Sequence, residues 1–210
     1  MATGPDQVWS WDITYMKTGV SGIFLYAYMI IDVWSRAIVG WEVNDREDPE
    51  LAADLFRRLA LSKNVRGVRL HADNGNPMKA ATMIMMLYRL GIIPSFSRPR
   101  VSDDNPYSES FFKTMKYHVR YPHHFEGIDH ARLWLADFVD WYNTEHRHSA
   151  IGYVTPQQRH DGHDLELFER RNKALNLARL SHPERWGNRV ALHGAERIVY
   201  LNPIPEKQSA

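Results

Sequence analysis

Cysteine is absent from the 210 residues of the chain. The sequence therefore contains no disulfide, no thiolate nucleophile and no cysteine-rich zinc site. The absence also weakly favours a reducing compartment. Any metal ion that the chain binds must use oxygen or imidazole ligands.

Long apolar runs and a charge excess are missing as well. The longest apolar run, residues 23–33, is too short to span a membrane, and residues 1–8 lack the charged and then apolar pattern of a signal peptide. Lys and Arg total 26 against 25 Asp and Glu, which leaves a net charge of +1 and no bulk attraction to nucleic acid. These absences predict a soluble, cytoplasmic protein with no membrane partner, whose contacts with nucleic acid must depend on local features.

The first hundred residues alternate between strand-like and helix-like patterns. A length of 210 residues with 44% hydrophobic residues supports one core and at most a small appendage. Turn residues separate three β-rich runs, and amphipathic spacing then alternates with two shorter apolar runs. We predict strands over 8–16, 23–32, 37–43, 68–72 and 92–96, and helices over 49–61 and 77–90.

Three antiparallel strands followed by helix, strand, helix and strand predict a mixed five-stranded sheet flanked by helices, because parallel strands need crossover connections. This is the RNase H-like order of elements. Asn105 precedes Pro106 as an N-cap precedes a proline at the first helical position, which predicts a helix from Pro106 to about Arg120. Further along the chain we predict helices over 129–145 and 164–180, and one possible strand over 197–201.

Three acidic residues fall where such a sheet can bring them together. Asp12 lies in the middle of the first strand between aromatic residues, where a carboxylate is costly unless a partner or a metal neutralises it. Asp73 ends the fourth strand, which lies beside the first, and Glu109 lies near the first turn of the next helix. Hard divalent cations such as Mg²⁺ or Mn²⁺ prefer carboxylate ligands, so three converging acids predict a metal site suited to phosphoryl transfer. Lys116 is two helical turns beyond Glu109 on the same face and can touch phosphate.

Five segments resemble, in order, the integrase-core transposases of bacterial insertion sequences, which are relatives of retroviral integrases. The resemblance covers residues 8 to about 160, with 60 residues between Asp12 and Asp73 and 35 between Asp73 and Glu109, the second spacing being typical of this superfamily. The segments are WDITY at 11–15, IDVWSRAIVGW at 31–41, HADNG at 71–75, SESFF at 108–112, and WYN to HRHS at 141–149.

The resemblance implies a DNA strand transferase of the DDE type, a polynucleotidyl transferase with no small-molecule substrate. Residues 1–160 would be its RNase H-like catalytic core and residues 161–210 a C-terminal extension, helical and then irregular. It implies Asp12, Asp73 and Glu109 as catalytic and metal-binding residues that hold two Mg²⁺ or Mn²⁺ ions. Its implied partners are transposon ends and target duplex, bound by a homo-oligomer. Family members usually carry an upstream helix-turn-helix region that reads the element's ends, and here the first strand begins about eight residues in.

Without such a region, DNA binding by this chain is expected to be weak, salt-sensitive and nearly independent of sequence. The candidate phosphate contacts are Lys116, Lys113, Arg98, Arg100 and Arg147.

Other features have plainer interpretations. We expect Asp32 to make local hydrogen bonds and a salt bridge near Ser35 and Arg36, and to lie outside the site. The histidines of 123–124 and 146–148 lack the four-residue helical spacing of a zinc site, and Asp103 and Asp104 are expected in a loop. The alternative function is a non-transposing RNase H-like nuclease, or a module for DNA binding or assembly.

Overall fold

The computed structural model describes residues 1–98, 105–186 and 192–201. These residues form five strands and a series of helices. The strands are β1 (Val8–Lys17), β2 (Phe24–Asp32), β3 (Ile38–Asn44), β4 (Arg69–Ala72) and β5 (Ile93–Phe96). The α-helices are α1 (Pro49–Ser62), α2 (Asn76–Lys79), α3 (Ala81–Leu90), α4 (Pro106–Lys116), α5 (Ile128–Thr144), α6 (Pro156–His160) and α7 (Asp164–Ser181).

The strands form one mixed sheet in the order β3-β2-β1-β4-β5. β1 pairs antiparallel with β2 and parallel with β4, so that Ser10 lies opposite both Ile31 and His71. The first and fourth strands are therefore neighbours at the centre of the sheet, and the predicted mixed five-stranded architecture is confirmed.

Successive side chains of β1 point to opposite faces of the sheet, and each face has its own core. Trp9 and Trp11 pack with α1 and α3 residues such as Phe56. Met16 belongs to the opposite core, which includes Phe111 of α4 and several residues of α5. Asp12 shares the alternation of Ser10 and Met16, and its carboxylate therefore belongs to the face that α4 covers.

Two helix predictions were wrong in their extent. The chain leaves the helical conformation at Ala80 (φ −59°, ψ 138°), which divides the predicted helix over 77–90 into α2 and α3. No glycine or proline marks that break in the sequence. α4 ends at Lys116 and not near Arg120. Pro122 disfavours a helical conformation only at Tyr121, so it does not account for the earlier end.

Residues beyond α6 pack back onto the start of the chain. The predicted strand over 197–201 is reduced to a single antiparallel bridge between Val199 and Ala2. Trp34 at the turn after β2 donates its indole N–H to the carbonyl of Arg197 at 3.0 Å. The division of the chain at residue 160 stays a prediction. In the described part of the chain, no helix is both long and apolar enough to cross a bilayer.

Candidate active site

Asp12 lies near the middle of β1 and is mostly shielded from solvent. Its Oδ1 accepts a hydrogen bond from the backbone N–H of Ile13 at 2.8 Å. Burial raises the pKa of Asp12 to about 7, and the negative charges of Asp73 and Glu109 add to that rise, whereas the Ile13 hydrogen bond opposes it. The three acids predicted from the sequence are therefore close enough to act on one another electrostatically.

Asp73 follows the last residue of β4, at the carboxyl end of the strand that flanks β1. Its Oδ1 accepts a hydrogen bond from the backbone N–H of Gly75 at 2.8 Å, and Asn74 donates to the carbonyl of Ser97 at 2.9 Å. A Cβ atom at Gly75 would lie 3.0 Å from Asp73 Oδ1, so glycine lets the turn close around the carboxylate. The same three residues thus form a turn and fix the direction of the Asp73 side chain.

Glu109 lies exposed in the first turn of α4, and a buried hydrogen-bond cluster fixes where that turn meets the sheet. Ser10 of β1 donates to Oδ1 of Asn105 at 2.5 Å, and its hydroxyl lies 2.7 Å from the hydroxyl of Ser108. Asn105 also donates to the carbonyl of Trp11 at 3.3 Å. This Ser10–Asn105–Ser108 cluster holds the start of α4 against β1, two residues from Asp12 and one residue from Glu109.

The predicted role of Asn105 is therefore only half right. Pro106 occupies the first turn of α4 as expected, but the Asn105 side chain makes no capping hydrogen bond to its own helix. It binds β1 instead, and the stabilisation of about 1 kcal/mol that a side-chain N-cap supplies is replaced by a link between helix and sheet. Sequence reasoning missed the cluster, although Ser10 shares a strand face with Asp12 and Ser108 directly precedes Glu109.

The three carboxylates are neighbours, but they are not packed into one tight cluster. Among the described residues, the acidic and histidine side chains whose ligand atoms all lie within 4.8 Å of one another are Asp6, Asp32 and His160. Asp12, Asp73 and Glu109 come from β1, the end of β4 and α4, and they influence one another at a wider spacing.

Lys116 lies on the same side of α4 as Glu109 and close to Asp12. Partial burial lowers the pKa of Lys116, as does the positive charge of Lys17, whereas the negative charge of Asp12 acts in the opposite direction. Lys113, Arg98 and Arg147 are exposed, and Arg100 falls outside the described residues. Lys116 is therefore a predicted basic residue whose charge lies within electrostatic reach of the acidic site.

Glu47 is a further acid near the site that the sequence did not single out. It is exposed between β3 and α1, and its charge contributes to the raised pKa of Asp12. It also interacts with Tyr15, three residues beyond Asp12 on β1, and raises the pKa of that tyrosine. The acidic character of this edge of the sheet therefore extends beyond the predicted triad.

Asp32 lies outside the site, as expected, and is completely buried. Its Oδ1 accepts hydrogen bonds from the backbone N–H and the hydroxyl of Ser35, at 2.6 and 2.7 Å, and its Oδ2 accepts from the backbone N–H of Asp6 at 2.8 Å. The expected local hydrogen bonds are present. The charges of Asp32 and Arg36 also attract each other. The hydrogen bond between the two residues joins their backbones, with the N–H of Arg36 donating to the carbonyl of Asp32 at 2.8 Å.

The compact group of Asp6, Asp32 and His160 already has a positive charge beside it. Lys63 Nζ lies 3.1 and 3.2 Å from the two carboxylate oxygens of Asp6. Burial alone would raise the pKa of Asp6, but His160 and Lys63 together lower it to about 2. The Lys63 ammonium group supplies the positive charge that a metal ion would otherwise bring. We therefore interpret Asp6, Asp32 and His160 as part of a structural ion pair next to the β2–β3 turn.

The histidines near the end of α5 have structural contacts. His146 stacks on Tyr142 at a ring distance of 5.2 Å, and His148 Nδ1 accepts the backbone N–H of Ala150 at 3.2 Å as the cap of a short 3-10 helix. These contacts give both rings a structural role, and the absence of a zinc site stays an expectation.

Comparison with known proteins connects this geometry to a family. Two family models, both described as an integrase core domain, match residues 2–102 and 90–156. The transposase InsF for insertion sequence IS3A of Escherichia coli K12 is 34% identical over 159 residues, which are 75% of this chain and 54% of that protein. The transposase for insertion sequence element IS904 of Lactococcus lactis is 33% identical over 158 residues, 74% of this chain and 62% of that protein.

Solved structures share the fold at low sequence identity. The HTLV-2 integrase catalytic core domain in complex with magnesium, in its trimeric form, has a TM-score of 0.58 at 16% identity and covers 76% of this chain and 99% of that one. An integrase chain in the simian T-cell lymphotropic virus intasome has a TM-score of 0.62 at 18% identity, covering 76% of this chain and 55% of that one. The RNase H-like fold predicted from the order of elements is confirmed.

Proposed function

Because this chain belongs to the integrase-core family of insertion-sequence transposases, we propose that it carries out the DNA strand cleavage and strand transfer of transposition, with Asp12, Asp73 and Glu109 as its catalytic residues. The observation that carries the proposal is the meeting of β1, β4 and α4. Parallel pairing sets β4 beside β1, and the Ser10–Asn105–Ser108 cluster sets α4 against it, so that the charges of Asp73 and Glu109 reach Asp12.

The donor set suits hard divalent cations. Burial raises the pKa of Asp12, and the negative charges of Asp73 and Glu109 add to that rise, so a cation that offsets their repulsion would be bound favourably. We propose two Mg²⁺ or Mn²⁺ ions held by Asp12, Asp73 and Glu109. When bound, they would supply Lewis-acid stabilisation of the attacking and leaving oxygens. The HTLV-2 core, which shares the fold, was solved in complex with magnesium.

The chain's own groups orient both the acids and the DNA. The Ile13 and Gly75 N–H groups hold one oxygen of Asp12 and of Asp73, which fixes the direction of each carboxylate. Lys116, within the electrostatic reach of Asp12, would contact a DNA phosphate beside the acids. Lys113, Arg98, Arg100 and Arg147 are proposed as further phosphate contacts.

The chain spans about half the length of the curated relatives that it matches. The activity of the whole protein is therefore part of the proposal, together with its DNA partners, the transposon ends and target duplex. We further propose that the protein forms a homo-oligomer, which is supported by the intasome that shares the fold. We also propose that it acts in the cytoplasm, where a bacterial chromosome is accessible. The residue 161–210 extension is proposed as an appendage of the 1–160 core.

A strand-joining assay tests the proposed function. The chain would be incubated with a labelled duplex that carries a free 3′-hydroxyl and with a supercoiled plasmid, in Mg²⁺, in Mn²⁺ or in a chelator. We expect a covalent product of label and plasmid that depends on the divalent ion. Cleavage without joining would identify a nuclease, and neither product in either metal would contradict the proposal.

Lys116→Ala is expected to weaken binding to unrelated duplexes about equally, because a phosphate contact reads no sequence. The slope of log affinity against log salt should become shallower by roughly one unit, as the loss of one phosphate contact predicts. Fluorescence anisotropy over a range of salt concentrations measures both quantities, and Lys173→Ala on the exposed α7 serves as the control. Tight binding to one sequence that Lys116→Ala leaves unchanged would place the DNA-reading surface elsewhere.

A further inference from the structure

A cavity of about 250 Å³ lies between α4, α5 and the turn that joins β2 to β3. It is separate from the acids, because Ser108 of α4 faces the sheet whereas Tyr107 and Ser110 line the cavity. Its walls combine aromatic rings with aliphatic side chains such as Ile31 and Leu201. The side chains that matter for its chemistry are Arg36, Tyr107, Ser110, Tyr142 and His148.

Arg36 brings a positive charge to this cavity, and one nitrogen of its guanidinium lacks a hydrogen-bond partner in the described part of the chain. Its guanidinium stacks over the Tyr107 ring at 4.2 Å, and its buried Nε has no hydrogen-bond partner among the residues that the structure describes. The nearby Asp32 attracts it, but the oxygens of Asp32 accept from Ser35 and Asp6. A largely buried cation with an unsatisfied donor is destabilising unless an acceptor or an anion satisfies that donor.

The backbone of Arg36 adds a second cost. Its φ is +70°, in the left-handed region that a non-glycine residue adopts only where its surroundings require it. The chain thus keeps a long cationic side chain at a turn position that would favour glycine. An arginine that carries both an unsatisfied guanidinium nitrogen and a left-handed backbone conformation indicates that its charge has a function.

The other polar groups at the cavity are suited to donate hydrogen bonds. His148 Nδ1 accepts the N–H of Ala150, which places the proton of the neutral ring on Nε2. Burial, together with the positive charge of Arg36, lowers the pKa of His148 to about 4, so the ring is neutral at pH 7. Tyr142 and Ser110 contribute hydroxyl groups to the lining. A cation surrounded by donors is a site for an oxyanion.

We propose that this cavity binds a phosphate group, with the Arg36 guanidinium as the principal contact and His148, Tyr142 and Ser110 as donors. A phosphate fills only part of about 250 Å³, and the aromatic and aliphatic walls leave room for an attached sugar or base. The phosphate could belong to the backbone of a DNA strand that passes α4 on the side away from the acids, or it could be free. The inference does not depend on Asp12, Asp73 or Glu109, and Asp12→Asn should bind phosphate as the unchanged protein does.

Titration with inorganic phosphate tests the site directly. Calorimetry should detect one bound phosphate, and nuclear magnetic resonance of the imidazole nitrogens should show the pKa of His148 rising as the site fills, because an anion stabilises the imidazolium form. If neither heat nor a change at His148 accompanies phosphate addition, the proposal is overturned.

Arg36→Met separates a binding role from a structural one. The variant keeps a long unbranched side chain and the same backbone cost, and it removes the charge. We expect phosphate affinity to fall roughly tenfold or more, as for the loss of a charge-assisted hydrogen bond, with the melting temperature unchanged or raised. Unchanged affinity, or a large drop in melting temperature, would mean that Arg36 is structural.

Arg159→Met is the matched control, because Arg159 also stacks on an aromatic ring, that of Trp34, at 4.2 Å. Arg159 differs in having partners for two of its nitrogens and an acid beside the third. Its Nε donates to the carbonyl of Trp34 at 3.0 Å, its Nη2 donates to the carbonyl of Glu196, and its Nη1 lies 3.8 Å from an Asp164 carboxylate oxygen. This variant should lose melting temperature and keep its phosphate affinity.

Binding measurements with duplex DNA identify the source of the phosphate. If DNA supplies it, Arg36→Met should weaken duplex binding and reduce its salt slope by about one unit, and inorganic phosphate should compete with duplex. If duplex binding is unaffected while inorganic phosphate still binds through Arg36, the site takes a free phosphate. Either result supports a phosphate site. If Arg36→Met binds both inorganic phosphate and duplex as the unchanged protein does, the proposal is refuted.

Discussion

Asp12→Asn is expected to abolish DNA strand cleavage and joining and, at the same time, to make the folded protein more stable at pH 8. Activity is lost because asparagine cannot supply the negative charge that divalent cations require. Stability increases because the native protein holds a buried carboxylate close to Asp73 and Glu109, and the asparagine variant does not.

The pH dependence of that gain follows from the pKa of Asp12, which is raised from 3.8 to about 7 in the folded protein. A raised pKa stabilises the fold below about pH 4, and this stability is lost as the pH rises through 7. Urea unfolding should therefore show little difference between Asp12→Asn and the unchanged protein at pH 4 and a gain on the order of 2 kcal/mol at pH 8. A variant that is inactive and less stable at pH 8 would indicate a structural role for Asp12.

Asp73→Asn and Glu109→Gln should also lose cleavage and joining while remaining folded, since both residues lie at the ends of elements and outside the cores. Asp140→Asn, which changes an exposed acid of α5, controls for the loss of one negative charge and should keep full activity. If either triad variant retained joining, the assignment of three catalytic acids would be wrong for that residue.

Asp32→Ala is expected to cost roughly 3–5 kcal/mol of folding free energy and to leave cleavage per folded molecule nearly unchanged. The change leaves three donors, at Ser35 and Asp6, without the acceptor that they share in a fully buried position. Urea unfolding measures the loss, and single-turnover cleavage below the unfolding midpoint measures activity.

Asp45→Ala provides the comparison for Asp32. Asp45 forms an exposed ion pair with Arg46, with side chains 70% and 61% exposed, and its loss should change stability by no more than about 0.5 kcal/mol. A stable Asp32→Ala protein that lost cleavage would move Asp32 into the catalytic site.

The fold could be predicted where the sequence pattern has one physical interpretation. Residues 8–44 alternate and turn as a three-stranded meander must, and Gly91 ends α3 with a left-handed residue (φ +73°). The break at Ala80 could not be predicted, because alanine favours a helix and the conformation there depends on packing. The early end of α4 at Lys116 could not be predicted either, because Pro122 restricts only the residue directly before it.

The acidic residues of the candidate site could be proposed from the sequence, because their order and spacing along the chain can be read directly from it. The contacts that position these acids could not be predicted, because Ser10 and Asn105 are distant in sequence. Each also has an ordinary local interpretation, Ser10 as a strand residue and Asn105 as an N-cap. Arg36 was noted only as a neighbour of Asp32. Its cavity is formed by α4 and α5, whose packing against the turn no sequence pattern specifies.

The central position of β1 has a consequence for the order in which the molecule assembles. β1 pairs with β2 through a short turn, whereas β4 and α4 reach it only after much longer stretches of chain have been closed into loops. Short-range pairings form first because loop closure costs less entropy, so the strand that carries Asp12 is built before Asp73 or Glu109 arrives. A cation that needs all three acids would then find its ligands only in the native state. It would slow unfolding and leave the rate of refolding unchanged.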